Sequence, residues 1–183
     1  MIALRSGATG SSPPDGRPTA GAEPGSDDLE EFYAAHVHGL TLQLYAYTGD
    51  LGTAQEVVQE AFCRALPRWS RIRLYDDPAA WIRRVAWNLA TSRWRRARSA
   101  LEFARRHRET HVDGPGPDRV ALVAALAQLP ANHRRVVVLH HLADLPIADI
   151  AQQVGVPEGT VRVWLHRGRT ALLEDHRTER PNV

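Results

Sequence analysis

The sequence predicts an all-α protein of two small helical domains joined by a flexible linker, the C-terminal domain containing a helix-turn-helix. Three observations carry this expectation. From Asp27 onward apolar residues recur at the 3.6-residue spacing of amphipathic helices. No stretch of any length alternates apolar and polar residues as a half-buried strand does. Between two blocks of helical stripes lies VDGPGPD at 112–118, a glycine and proline punctuation that reads as a linker.

The 183 residues, 43% of them hydrophobic, suffice for one domain of ordinary size or two small ones. A formal charge of +2 excludes a uniformly basic nucleic-acid coat, but the arginines are unevenly placed. The single cysteine, Cys63, cannot close an internal disulfide. With neither an apolar run of membrane-spanning length nor a signal-peptide pattern, a cytoplasmic protein without a membrane partner is expected.

Residues 1–26 are crowded with Gly, Pro, Ser, Ala and Thr, and hold few large apolar side chains to offset the entropy of ordering, so a disordered tail is expected. Leu29, Phe32, Tyr33, Val37, Leu40, Leu44 and Tyr47 then draw a long helix ending near Gly49 and Gly52. A second helix is expected over Thr53 to Trp69, with Ala54, Val57, Val58, Ala61, Phe62, Ala65 and Trp69 inward and Gln55, Glu56, Gln59 and Glu60 outward. Acidic residues early in a helix also complement its dipole, so this face alone does not specify a partner.

After the loop RIRLYDDP a third helix is expected from about Pro78 to Arg98, with Ile82, Val85, Ala86, Leu89 and Ala90 inward. A second face carries Trp81, Arg84, Asn88, Thr91 and Arg95, widened by Arg83, Trp87, Arg93, Trp94, Arg96 and Arg98. Rings interleaved with guanidinium groups offer stacking for unpaired bases and a field that follows phosphates, as single-stranded nucleic acid requires. Trp87 and Trp94 could equally close the helical core.

Beyond the linker, Asp118 is a candidate N-cap for a helix with Val120, Val123, Ala124 and Leu126 on its apolar face, broken at Leu129-Pro130. Asn132 to Leu142 forms the next, through Val136, Val137, Leu139 and His140. From Leu145 to Leu173 the spacing describes two helices meeting at a tight turn. Ile147, Ile150, Ala151 and Val154 make one stripe, Gly155 suits a left-handed helix end, and Pro157 suits the first turn of a helix whose inner face is Val161, Leu165 and Leu172. Its outer face holds Arg162, His166, Arg167 and Arg169. A second helix exposing cations is how a helix-turn-helix presents itself to the major groove, although a helical hairpin with a solvated basic face has the same spacing.

Taken in order, the chain resembles an extracytoplasmic-function sigma factor of the sigma-70 family, a small bacterial transcription initiation subunit. The resemblance rests on AQEVVQEAFCRAL at 54–66, DPAAWIRRVAWNLATSRWRR at 77–96 and LPANHRRVVVLHHLADLPIADIAQQVGVPEGTVRVWLHRGRTAL at 129–172. It implies sigma domain 2 over 27–98, a linker over 99–117, sigma domain 4 over 118–177 and a short tail at 178–183. It implies core RNA polymerase, through its β and β′ subunits, as partner, with Glu56, Gln59, Glu60 and Arg64 as candidate docking residues. It further implies recognition and melting of the minus-10 element by Trp81, Arg84, Asn88 and Arg95, with Arg71, Arg73 and Tyr75 near the pocket of a flipped base. The minus-35 element, read as duplex, falls to Glu158, Thr160, Arg162, His166 and Arg167. Promoter DNA, duplex and single-stranded, is thus a partner, and an anti-sigma factor is a candidate one.

The chain departs from the family pattern in two places. Arg162, Val163 and Trp164 stand where a serine or basic residue and an arginine are common after the Thr-Val pair, and Thr91-Ser92-Arg93 replaces a segment that commonly carries an aspartate. Both bear on base preference. The rival reading is a helix-turn-helix transcriptional regulator whose residues 27–98 form a sensor or dimerisation domain; it would bind its DNA tightly without polymerase. Catalysis is not expected. His107 and His111 have metal-ligand spacing but lack the glutamate of the metalloprotease pattern, His140 and His141 are adjacent and expected to point apart, and the chain has neither a phosphate loop nor a plausible nucleophile triad. No cofactor and no metal are expected.

Overall fold

A computed structural model describes residues 26–104 and 117–178, with side-chain surroundings for 28–96 and 120–174; every regular element among them is helical. The expected tails and most of the linker, including His107 and His111, lie outside the described residues. Helix α1 (Ser26–Thr48) buries Leu29, Leu40, Leu44 and Tyr47 of its expected stripe. It ends at Gly49, whose φ of +79° allows its N–H to reach the Tyr45 carbonyl at 2.9 Å. Asp50 then caps α2 (Leu51–Ala65) by accepting the Thr53 N–H.

Helix α2 therefore begins two residues before the expected Thr53, and it stops at Ala65 rather than Trp69. Pro67 lacks the N–H a continuing helix would need, so the chain passes through a 3-10 turn (Leu66–Arg68) into the short α3 (Trp69–Ile72). The buried face of α2, Ala54, Val57, Val58, Ala61, Phe62 and Ala65, is the expected one. The Asp77 carboxylate accepts the Ala80 N–H at 2.8 Å at the start of α4 (Pro78–Ala104), which continues six residues past the expected Arg98. Helices α1, α2 and α4 pack on one another through Ile82, Ala86 and Ala90. Trp87 is core: it is wholly buried, with its ring centroid 5.0 Å from that of Tyr47.

In the second unit α5 (Pro117–Gln128) starts with a proline at its first position, one residue before the expected cap Asp118. Its burial is carried by Leu126, while Val120 and Ala124, expected inward, are exposed. Helix α6 (Ala131–His141) follows Pro130 and buries four consecutive residues, Val136 to Leu139. Helix α7 (Ile147–Val154) ends at Gly155, with φ of +77° and its N–H on the Ala151 carbonyl at 2.8 Å. Helix α8 (Glu158–Thr178) buries Val161 and Leu165 and crosses α6 where its Gly168 meets Val137.

The two units also pack against each other, α1 lying on α5 and α6. Leu44, Tyr45, Ala46 and Tyr47 are all buried, and four successive residues at 100° each cover the whole circumference of a helix. The end of α1 is thus enclosed from both sides. At this junction sits Arg134, the one charged side chain in the buried class among the described residues. Its Nη1 donates to the Tyr47 carbonyl at 2.9 Å, and its Nη2 to the carbonyls of Ala127 at 2.7 Å and Leu129 at 3.2 Å. Tyr47 and Ala127 lie in the last turns of α1 and α5, where carbonyls have no intrahelical partner and the helix dipole is negative. Beside it the Arg135 guanidinium lies 5.6 Å from the Trp87 ring centroid, and Arg83 Nε reaches Gln153 Oε1 at 3.4 Å.

Gly168 tests the second unit's packing. A Cβ there would lie 2.7 Å from Val137 Cγ2, and Val137 is itself buried, so Gly168→Ala should destabilise by about 1–3 kcal/mol. Gly159→Ala, with no atom within 4 Å of the new Cβ, should be neutral or stabilising by up to about 1 kcal/mol. Denaturant unfolding of both variants checks the contrast.

Candidate nucleic-acid interface

The fold presents three groups of polar side chains on different surfaces. On α8, Glu158, Arg162, His166 and Arg167 are exposed and Thr160 is half-buried. Glu158 Oε2 accepts from Arg162 Nη2 at 2.7 Å, one turn away, which holds that guanidinium beside the helix start. Val163 is exposed, whereas Trp164 turns partly inward, its ring 6.3 Å from that of His133. Of the two departures after Thr160-Val161, the valine therefore faces outward and the tryptophan supports the unit.

On α4, Arg84, Asn88 and Arg95 are exposed at helical spacing, with Thr91 half-buried between them. The Thr91 hydroxyl donates to the carbonyls of Trp87 at 2.8 Å and Asn88 at 3.1 Å, so it serves the helix backbone rather than solvent. Trp81 is only half-exposed and packs against the core, and Trp94 lies 6.1 Å from Tyr47, towards the second unit. The interleaved rings expected for stacking on bases are thus partly structural, and the outward part of this face is mostly guanidinium and amide. Arg71, Arg73 and Tyr75 are exposed around the turn before α4. Of these three, Arg73 lines a groove of about 420 Å³ with Phe32, His36, Trp69 and Leu74, and its Nη1 donates to Asp28 Oδ2 at 2.9 Å.

On α2, Glu56, Gln59 and Arg64 are exposed and Glu60 is half-buried. The face is less acidic than its sequence suggests, because Arg93 of α4 crosses to it. Its Nη1 donates to Glu56 at 2.9 Å and its Nη2 to Glu60 at 2.7 Å, while Arg64 holds the other Glu60 oxygen. Partial burial pushes the Glu60 carboxyl up, but the hydrogen bonds and charges of Arg64 and Arg93 outweigh it and hold it below the usual carboxylate value. Arg93, expected with the DNA-facing cations, belongs to the α2 face. No pattern in the sequence marks the pairing, which joins residues 37 and 33 positions apart.

Among the described residues Arg84 and Arg95 of α4 and Arg167 and Arg169 of α8 have no carboxylate within ion-pair distance, whereas the exposed Arg162 is paired with Glu158. Among the same residues no cluster of three His, Cys, Asp or Glu side chains could hold a metal, and no helix is long and apolar enough to cross a membrane. His140 and His141 do not point apart as expected. Their rings meet edge to face at 4.8 Å, with His140 Nδ1 held 3.1 Å from the Leu145 carbonyl, which draws both rings to the turn after α6.

The profile of sigma-70 region 2 matches residues 32–100, and that of sigma-70 region 4 matches residues 119–172. The chain is 32% identical over 136 residues to the ECF RNA polymerase sigma factor SigC of Mycobacterium tuberculosis, covering 71% of this chain and 74% of that protein. It is 26% identical over 167 residues to the ECF RNA polymerase sigma factor SigW of Bacillus subtilis, covering 82% and 88%. The sigma factor RpoE of Bartonella quintana, solved in complex with the anti-sigma factor NepR, superposes with a TM-score of 0.71 at 20% identity, over 84% of this chain and 99% of that one; the likeness is one of fold.

Arg93→Ala should raise the Glu60 carboxyl pKa towards the ordinary carboxylate value, read by NMR titration of the side-chain carboxyl. A carboxyl held low stabilises the fold above its unfolded pKa and loses that contribution as pH falls through the folded one. The acid-side loss of stability should therefore be shallower in the variant. At neutral pH the variant should lose no more than about 1 kcal/mol, since the bridge is solvent-exposed.

Proposed function

The chain belongs to the extracytoplasmic-function sigma factors of the sigma-70 family, and from that premise we propose how its surfaces divide the work. It is a transcription initiation factor that binds core RNA polymerase and directs it to promoters. In our reading residues 27–98 act as sigma domain 2 and residues 118–177 as sigma domain 4, tethered through 99–117. Glu56, Gln59, Glu60 and Arg64 of α2 dock on polymerase, Arg84, Asn88 and Arg95 of α4 follow the opened minus-10 strand, and Glu158, Thr160, Arg162, His166 and Arg167 read the minus-35 duplex.

The supporting observation is the separation of charge. Among the described residues the exposed Arg84, Arg95, Arg167 and Arg169 on α4 and α8 have no carboxylate neighbour, while Glu56 and Glu60 lie on α2 among guanidinium groups. Phosphates favour the first kind of surface and a folded protein partner the second. The groove lined by Phe32, His36, Trp69 and Arg73 offers rings and a cation to a base leaving the stack, with Arg71, Tyr75 and Trp81 as neighbours in sequence. Melting then follows from differential affinity, since captured bases stabilise the open strand over the duplex. Binding polymerase presents both DNA modules together, so the second contact benefits from effective concentration.

The family is non-enzymatic, and in this reading the chain itself performs no covalent chemistry, acting in the cytoplasm where polymerase and chromosome meet. An anti-sigma factor belongs among its proposed partners, the Bartonella neighbour having been crystallised with one.

The test is transcription in vitro with purified core polymerase and a genomic promoter library. Transcripts starting only when the chain is added are expected; tight sequence-specific binding by the chain alone, with no transcripts, would instead support a regulator. Arg162→Ala should weaken minus-35 duplex binding by the holoenzyme, with a loss of about tenfold if the contact is to a base. Arg84→Ala should leave that binding intact and reduce permanganate-reactive thymines at minus 10. It is a cleaner probe than Trp81→Ala, whose half-buried ring also supports the core.

A further inference from the structure

Helix α8 carries a feature along its outward axis that the assignment of Glu158, Thr160, Arg162, His166 and Arg167 does not use. At about 100° per residue, the buried Val161, Leu165 and Gly168 define the side of the helix that faces its own unit. Opposite them, within about 25° of the outward direction, lie Gly159 and Val163 in the first two turns and Thr170 further along. Arg167 stands about 55° to one side of this line, Arg162 about 85° and Arg169 about 105° to the other. The part of the helix that projects furthest is therefore uncharged, and the cations flank it.

Three observations keep this line clear. Arg162 Nη2 donates to Glu158 Oε2 at 2.7 Å, which ties that guanidinium to its own flank one turn earlier. A Cβ built on Gly159 meets no atom within 4 Å, so the surface one turn before Val163 is open backbone. Val163 itself is 46% exposed, and the large side chain beside it, Trp164, turns inward towards His133 instead of covering it.

What such a line can recognise follows from what a major groove offers. The groove, about 12 Å wide, admits a helix and sets its first turns against base edges, with a phosphate backbone along either side. Arg167 on one flank and Arg169 on the other, both without a carboxylate in ion-pair distance among the described residues, match these two backbones in charge. Base edges in the groove present mostly hydrogen-bond donors and acceptors, and an isopropyl group set against one of these strips its water and returns nothing. The apolar exception among the four bases is the C5 methyl of thymine. Valine at the centre of the helix thus favours an A·T pair at the position it meets, and the bare backbone of Gly159 leaves room for the methyl beside it.

We propose that Gly159 and Val163 form an apolar seat for the C5 methyl of one thymine in the minus-35 element, which makes Val163 a specificity-determining residue. The inference rests on the reading of α8 as the helix that enters the minus-35 duplex, and adds to it one preference, for an A·T pair recognised by its methyl group. The flanking guanidinium groups hold the helix in the groove, and Val163 discriminates. Because Val163 is one of the residues by which this chain departs from the family pattern, the preference is this chain's own.

The experiment measures binding of holoenzyme, assembled from core polymerase and the full chain, to a promoter selected by transcription. Deoxyuridine replaces thymine at one position at a time on both strands of the minus-35 element, which keeps every polar group and removes the methyl alone. At one position the parent should bind the substituted promoter about three- to fivefold more weakly, the loss expected for one buried methyl group. Val163→Ala should weaken binding to the thymine promoter by a similar factor and abolish the difference between thymine and deoxyuridine at that position. Gly159→Ala, whose fold should be at least as stable as the parent's, puts a methyl of its own into the seat and should reverse the order, binding deoxyuridine better than thymine. Arg169→Ala should weaken both promoters alike, as loss of a phosphate contact does. A selected minus-35 element without an A·T pair, or a parent insensitive to deoxyuridine at every position, overturns the seat and leaves the sigma reading standing. So does a Val163→Ala chain that keeps the parent's sensitivity, or a Gly159→Ala chain that keeps the parent's order. A chain that yields no transcripts with core contradicts the sigma reading itself, and the seat falls with it.

Discussion

A buried guanidinium can draw acceptors from the backbone only where carbonyls are not already committed, and those are at helix ends. Arg134 obtains them where the last turns of α1 and α5 converge. This requirement fixes several features at once. Helix α1 must stop at Gly49 for the Tyr47 carbonyl to remain open, α5 must stop before Pro130, and α6 must start there to bring residue 134 into reach. The junction of the two units is therefore a meeting of helix termini around Arg134, continuous with one apolar core that runs through both units.

The same economy of charge appears on the outer surfaces. Arg93 and Arg64 answer the carboxylates of α2, so that face is a mixed lattice of acid and base, suited to a folded partner with alternating charge. Among the described residues Arg84 and Arg95 of α4 and Arg167 and Arg169 of α8 have no such neighbours and keep their field for phosphate. On the proposed reading, one chain separates a protein-facing helix from two nucleic-acid-facing ones. Trp164, one of the departures after the Thr-Val pair, packs inward towards His133, leaving Arg162, Val163, His166 and Arg167 as the outward surface of the second helix of the turn.

Much of this was legible in the sequence because helical periodicity reports which side of a helix is dry. The faces of α2, α7 and the start of α8 follow their stripes residue by residue. Periodicity fails where a helix is dry on every side: Tyr45 and Ala46 lie off the stripe of α1 and are buried because the second unit covers them. Long-range pairings fail for a related reason. Nothing local distinguishes Arg134 from Arg135 or Arg93 from Arg95, and their roles are set by what the tertiary fold places opposite them. Trp87 shows the limit of a compositional argument, since rings interleaved with arginines suggested stacking on bases while the ring completes a core. The break of α2 at Pro67 was readable and should weigh more than a stripe that happens to continue through Trp69.

On the proposed reading one chain engages two separated promoter elements only as part of polymerase, and hydroxyl-radical footprinting on a promoter selected by transcription checks this. With core and the chain together, protection should cover both the minus-35 and minus-10 elements; the chain alone should protect neither at the same concentration. Full protection by the chain without core, or protection of a single element by the complete holoenzyme, would rule this division of labour out.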